Sequence, residues 1–179
     1  FLFTPTSNAT KNLLKENIDV SKIHQVGDIM YDAILYYSSN TNTNVTSANV
    51  GHLKTKDYVV ATLHRAENTN NSKALLNIIE AISLISREHK VILLIHPRTK
   101  KYLKENNLIL AQTDNLILSE PVGYLEMVQL QKDAKLILTD SGGMQKEAYF
   151  LGVPCVTYRK ETEWVELIEN KANVLANPM

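Results

Sequence analysis

Five short apolar runs recur along the chain from residue 58 onward, and nearly every one leads into a segment of helical period. They are "YVVATLH" (58–64), "VILLIH" (91–96), "NLILSE" (115–120), "KLILTD" (135–140) and "PCVTY" (154–158). The runs are continuous rather than alternating, which is how strands read when helices cover both faces of a parallel sheet. Residues 72–88 place Leu75, Ile78, Ile79, Ile82 and Ile85 on one helical face. Further helices are predicted over 99–106, 123–131 and 162–169, with another opening at Gly142 or Gly143 and a short apolar tail at the end. Repeated strand–helix units with short connections predict an α/β fold with a Rossmann-like, doubly wound parallel sheet.

Residues 1–42 carry the same alternation on a smaller scale. "FLFT" (1–4) reads as a strand, 8–17 as a helix, "KIHQVG" (22–27) as a strand and 29–38 as a helix capped by Asp28. The Ser-, Thr- and Asn-rich stretch that follows has no period and is the expected domain boundary. The expected organisation is the end of one Rossmann-like domain (1–42), a linker (43–54) and a second Rossmann-like domain (55–179). The linker contains a formal glycosylation sequon at Asn44-Val45-Thr46, with no secretory signal to support its use. Opening in mid-strand without Met, and stopping after "VLANPM", the chain reads as a piece of a longer protein.

Charge narrows the choice of partner. Lys plus Arg and Asp plus Glu number 19 each, so no overall field draws in nucleic acid or an anionic membrane, and neither is expected as a partner. One cysteine, Cys155, excludes a disulfide framework. No apolar run approaches the roughly 18 residues of a membrane span. The expectation is a soluble protein of a reducing compartment, cytoplasmic.

Ligands of open parallel sheets bind beyond the carboxyl ends of the strands. His64-Arg65-Ala66-Glu67-Asn68, His96-Pro97-Arg98, Glu120, Asp140-Ser141-Gly142-Gly143, and Arg159 with Thr162 and Glu163 stand there. Polar groups crowd that edge while the strands carry almost none, which points to one site. Ser141-Gly142-Gly143 leads from strand into helix. A helix N-terminus offers free N–H groups and partial positive charge, and glycines let a phosphate approach the backbone. One turn later Glu147 faces the same mouth, with a carboxylate suited to a ribose diol. The plainer reading is a tight turn capped by Ser141, and those three residues do not separate the two. Arg65, Arg98 and Arg159 can each grip phosphate or carboxylate with two donors. No spacing of a metal site appears, and no metal or cofactor is expected. Trp164 reads as packing at a helix start.

Taken together, "FTPTSNATKNLLKENI", "IHQVGDIMYDAI", "ATLHRAEN", "HPRT", "LTDSGGMQKEA" and "GVPCVTYRKETEWVE" resemble the non-hydrolysing UDP-N-acetylglucosamine 2-epimerases, in the family's order from residue 1 to near 175. The resemblance implies a two-domain fold like that of the GT-B glycosyltransferases, with the site in the interdomain cleft and a final returning helix missing here. It implies an isomerase that interconverts UDP-GlcNAc and UDP-ManNAc by eliminating UDP and re-adding it on the other face, in the biosynthesis of cell-surface polysaccharides. The complete enzyme is expected to be a homodimer.

By matching positions, His64 is implied as catalytic, beside the diphosphate. Ser141, Gly142, Gly143, Glu147, Arg159 and Met127 are implied as UDP contacts. Arg65, Glu67 and His96 match positions that touch the diphosphate or line an activating second UDP-sugar site in some bacterial members. The acids that move the C2 proton lie upstream of Phe1 in the family, so this chain alone is expected to bind UDP weakly, if at all, and to turn over nothing. "HRAEN" departs from the family's His-Arg-Arg-Glu and loses the second arginine. "ETEWVE" departs from "TTERPE" and resembles the branch that includes epimerases of diacetamido-uronic acid nucleotides. An epimerase of such a UDP-2,3-diacetamido-uronic acid, a GT-B glycosyltransferase using a UDP-sugar, and a regulatory module that senses a nucleotide sugar stand as alternatives.

Overall fold

The computed structural model describes residues 1–40, 53–105 and 114–179, except the side chains of Arg98 and Glu105. Most of the expected linker, with its sequon, lies outside those residues.

The described residues build two parallel sheets. The smaller pairs β1 (Leu2–Thr4) with β2 (Ile23–Gln25). Helix α1 (Ser7–Lys15) connects them and is capped by Thr6, whose side chain accepts from the Ala9 amide. Next comes α2 (Ile29–Asn40), where Asp28 Oδ1 accepts from the Met30 amide at 3.0 Å. That is the cap predicted for this helix.

The larger sheet has β3 (Tyr58–Leu63), β4 (Lys90–Ile95), β5 (Leu116–Ser119), β6 (Leu136–Thr139), β7 (Cys155–Thr157) and β8 (Asn173–Leu175). Their order is β5-β4-β3-β6-β7-β8, with every pair parallel. Chain order runs outward from β3 in one direction and from β6 in the other. The crevice between β3 and β6 is therefore the topological switch point, where such sheets bind ligands.

Alternation along β3 sorts the core into two layers. Val59, Ala61 and Leu63 pack with Leu75, Ile78, Ile79 and Ile82 of α4 (Ser72–Ile85) and with Leu103 of α5 (Pro97–Glu105). Tyr58 and Val60 face the other side, with Leu130 of α6 (Tyr124–Asp133) and Met144 and Ala148 of α7 (Gly142–Phe150). Helices on both faces make the sheet doubly wound, as the continuous apolar runs require. Helix α7 ends where Gly152 takes φ +66, a left-handed turn that returns the chain to β7.

Three local features go beyond the expected elements. Residues 66–69 form a helical turn, α3, with the Thr69 and Asn70 amides donating to the Arg65 and Ala66 carbonyls. The predicted helix over 162–169 is shorter, as α8 (Val165–Glu169), because Thr162–Trp164 are held by α7. The tail carries a sixth strand, β8, which three residues of alternating burial could not announce.

Helix α2 joins the two parts by packing on α6 and α7. Ile34 is fully buried there, Tyr31 meets Phe150 at 4.9 Å between ring centroids, and Lys146 Nζ reaches Asp28 Oδ2 at 2.7 Å. No helix among the described residues is long and apolar enough to cross a membrane.

Asn71 caps α4 by accepting from the Lys73 and Ala74 amides, both at 3.1 Å. Asn71→Ala should cost about 1 kcal/mol, read as a lower urea midpoint at unchanged slope. An unmoved midpoint would show that packing alone fixes the start of this helix.

Candidate functional site

At the switch point β6 delivers Asp140 and β3 delivers His64. The Asp140 side chain is fully buried. Its Oδ2 accepts from the backbone N–H of His64 (3.1 Å) and of Arg65 (2.8 Å) and from Asn68 Nδ2 (3.2 Å). Its Oδ1 faces His64 Nδ1 at 3.1 Å. Burial pushes the Asp140 carboxyl up, but the His64, Arg65 and Asn68 donors outweigh it and hold the group below the ordinary carboxylate range. The hydrogen bond to Asp140 raises the His64 imidazole against desolvation and the Arg65 charge. Half of the His64 side chain is exposed, so one face of the ring looks outward.

Ser141 follows at once, in extended conformation, as the N-cap of α7. Its Oγ accepts from the Met144 amide at 3.4 Å and its own amide donates to Thr139 Oγ1 at 2.9 Å. Thr139 Oγ1 in turn lies 2.7 Å from Thr62 Oγ1 and ties the ends of β6 and β3 together. The capping role raised for Ser141 is thus present. A Cβ on Gly142 would meet Glu163 Oε1, the outer end of a partly exposed side chain, and would push that carboxylate aside. Gly143 is less constrained; a Cβ would meet only Met30 Cε at 3.7 Å and Ser141 Oγ at 3.8 Å.

Two arginines and two glutamates close the mouth. Arg159, only 8 % exposed, reaches Glu163 Oε2 through Nη1 at 2.6 Å. Its Nε stands 3.4 Å from Glu67 Oε1 without making a hydrogen bond. Arg65 lies 3.6 Å from Glu163 and 3.8 Å from Glu67. Burial pushes the Glu163 carboxyl up, and its own backbone amide with Arg159 and Arg65 overcomes this and holds it low. Both glutamates are substantially exposed, so each bridge contributes about 0–1 kcal/mol and yields readily to another anion.

A buried amide network fixes the loop that carries Glu163. Gln145 Oε1 accepts from Thr162 Oγ1 (2.7 Å) and Asn173 Nδ2 (3.0 Å), while its Nε2 donates to the Ser141 carbonyl at 3.3 Å. Trp164 stands at the start of α8 with Lys146 Nζ 4.2 Å from its ring centroid, a cation–π contact.

The structure therefore gathers His64, Arg65, Glu67, Ser141, Gly142 and Arg159 at one corner. Glu147 lies deeper, 6 % exposed, where its Oε2 accepts from Gln131 Nε2 at 2.7 Å. Met127, half-buried on α6, packs against the same layer of core as α7. His96 is exposed just beyond β4, the strand beside β3. Arg98 offers no described side chain. Asp140, Asn68 and Gln145 had no assigned role in the sequence. The signal for Asp140 was an acid ending an otherwise apolar strand, whereas nothing in Asn68 or Gln145 distinguishes them from surface amides.

A family model described as UDP-N-acetylglucosamine 2-epimerase matches residues 1–179. A UDP-N-acetylglucosamine 2-epimerase homolog of Methanococcus maripaludis is 49% identical over 177 residues, covering 97% of this chain and 49% of that protein. The UDP-2,3-diacetamido-2,3-dideoxy-D-glucuronate 2-epimerase of Pseudomonas aeruginosa is 42% identical, covering 97% and 48% respectively. The crystal structure of Methanocaldococcus jannaschii UDP-GlcNAc 2-epimerase in complex with UDP-GlcNAc and UDP superposes with a TM-score of 0.89. That match is 45% identical and covers 99% of this chain and 50% of the other. The chain spans about half the length of the curated relatives it matches.

Proposed function

The chain belongs to the UDP-N-acetylglucosamine 2-epimerase family, and we propose that it is the UDP-binding half of a non-hydrolysing epimerase acting on UDP-GlcNAc. The observation that carries this is the meeting of the α7 N-terminus, Arg159, Arg65 and His64 at the sheet's switch point. Four sources of positive potential converge where the fold places ligands.

Inverting C2 by elimination requires the C2 proton to leave and the C1–O bond to break, with charge developing on the departing diphosphate. Ser141, Gly142 and Gly143 seat that diphosphate at the helix N-terminus. Arg159 and Arg65 exchange Glu163 and Glu67 for its oxygens, and His64 donates from its exposed face. Re-addition of the same diphosphate then needs the group to stay bound, which several anchors at one corner provide. Glu147 receives the ribose hydroxyls and Met127 lies beside the nucleoside. Arg65, Glu67 and His96 form the wall toward the diphosphate or a second nucleotide sugar. Boundaries at 42 and 54 assign residues 1–42 to the first domain and 55–179 to the UDP-binding one. We place the proton-moving acids on the rest of the first domain, so this chain alone should turn over nothing, and the complete enzyme is a cytoplasmic homodimer.

Calorimetric titration with UDP and with uridine tests the seat. UDP should bind and uridine should scarcely do so. Equal binding of the two would remove the phosphate seat from Ser141–Gly143, and if this chain binds neither, the same titration on the complete enzyme decides: no preference for UDP there removes the seat.

A diacetamido-uronic acid nucleotide is the second reading. "ETEWVE" and the Pseudomonas aeruginosa relative favour it. Product analysis of the complete enzyme with each UDP-sugar decides between them.

Glu163 competes for the seat it lines. Glu163→Gln should tighten UDP and pyrophosphate by the same factor, about three- to tenfold, and leave uridine unchanged. Trp164, next in sequence and the chain's single tryptophan, reports the titration by its fluorescence. Weaker binding by this variant would instead make Glu163 a support for Arg159.

A further inference from the structure

We infer that Asp140 is a positioning residue of this site, fixing from the end of β6 the ring orientation and tautomer of His64 so that Nε2 meets the ligand's phosphates. The inference rests on the reading of the Ser141–Gly143 turn as a diphosphate seat and adds the group that prepares His64 for it.

The geometry separates two duties of one carboxylate. Three donors satisfy Asp140 as part of the fold: the His64 and Arg65 amides and Asn68 Nδ2, which also donates to the Tyr158 carbonyl. The fourth partner is the His64 side chain, through Nδ1 to Oδ1. With Nδ1 facing an acceptor, Nδ1 carries a proton in either charge state of the ring, and Nε2 is left on the outward side.

Charge makes the same point. Asp140 is a fully buried carboxylate immediately before the seat for an anion. Unpaired, it would repel a diphosphate there. Paired with an imidazolium, its charge is cancelled locally and the cation faces the ligand. Among the described residues the other charged groups at this corner are Arg65 and Glu67 after β3 and Arg159 and Glu163 after β7, coupled to one another, and the buried Tyr158 phenol, pushed up by burial and by the Asp140 charge, also faces Asp140. The raised affinity of His64 for its proton agrees with this arrangement.

The sign of the pH dependence follows. His64 has its folded value raised, so its contribution to stability is full below the unfolded value and is lost as pH rises through the folded one. Asp140 is depressed, so its contribution is present above its unfolded value and is lost as pH falls through the folded one. The pair is intact in the window between the two lowered and raised values.

Asp140→Asn tests the idea in the chain as it stands. Asparagine keeps an acceptor for the backbone amides but removes the charge. The five histidine side chains are followed by NMR against pH, with His64 assigned through His64→Gln. In Asp140→Asn the His64 midpoint should fall below that of the parent while the other histidines stay in place. UDP affinity near neutral pH should drop about tenfold, with uridine unaffected. An unmoved His64 midpoint with unchanged UDP binding would overturn the inference and leave the UDP seat standing. A shifted His64 with no UDP binding by the parent chain would uphold the coupling and overturn the seat. If Asp140→Asn does not fold, Asn68→Ala applies to the same resonance. Removing one neutral donor leaves Asp140 more basic toward His64, so the His64 midpoint should rise, and a static one would sink the proposal.

Discussion

Turnover of the complete enzyme should fall by about 10²- to 10³-fold when His64 is replaced by Ala, with UDP still bound and the fold unchanged. The size follows from removing one oriented, charged donor from a group that gains negative charge as the C1–O bond breaks. The ring stands half exposed, so its loss opens no cavity in the core. Asp140 keeps the His64 and Arg65 amides and Asn68 as donors, so its burial is still compensated. A kcat that falls while the melting temperature holds is the expected pair of results, measured by the appearance of the C2 epimer. Unchanged turnover would remove His64 from the chemistry. A collapse of stability would show that the Nδ1 contact serves the loop instead.

The contrast with Asp140→Asn is informative. His64→Ala deletes the group proposed to meet the phosphates, whereas Asp140→Asn leaves it in place with a different charge. If both variants lose turnover but only the second recovers it as pH is lowered, His64 works as a cation. Lowering the pH restores the proton that Asp140 no longer helps to hold.

The larger sheet was legible because its strands are buried on both faces. Runs dominated by Val, Ile and Leu suit that environment, as in Val59–Val60 and Val91–Leu94. Strand β8 was not legible because it lies at the sheet edge, with Val174 exposed and only Asn173 buried. Asn173 earns its burial through Gln145 and Thr157, a bonding pattern invisible to hydrophobic periodicity. The same limit applies to the site. Ser141, Gly142 and Arg159 stand at strand ends and could be named in advance. Their mutual distances, and the carboxylate of Glu163 lying over Gly142, depend on a loop anchored by Thr162 to a buried glutamine. The docking of α2 on α7 was equally hidden. It rests on a Lys146–Asp28 pair separated by 118 positions.

Replacing Glu147 by Ala should weaken UDP about 10- to 100-fold while leaving pyrophosphate within about twofold, because each hydrogen bond to a charged acceptor contributes about 1.5–3 kcal/mol. Glu147 sits on α7 beyond the turn proposed to seat the phosphates, and among the described residues its Oε2 is engaged by Gln131. The carboxylate can thus take ribose hydroxyls without giving up its protein partner. Gln131 complicates the alanine variant. Its Oε1 has no hydrogen-bond partner among the described residues, so losing Glu147 would leave the buried amide unmatched there and cost about 1–3 kcal/mol of stability. Glu147→Gln is the cleaner probe, since its amide oxygen still accepts from Gln131 while the negative charge is gone. UDP should lose affinity in both variants, and 2′-deoxy-UDP should lose less than UDP in each. Calorimetry with UDP, 2′-deoxy-UDP and pyrophosphate reads all of this. If both ribose-bearing ligands bind the glutamine variant as tightly as the parent chain, Glu147 belongs to the α6–α7 interface and the ribose is held elsewhere.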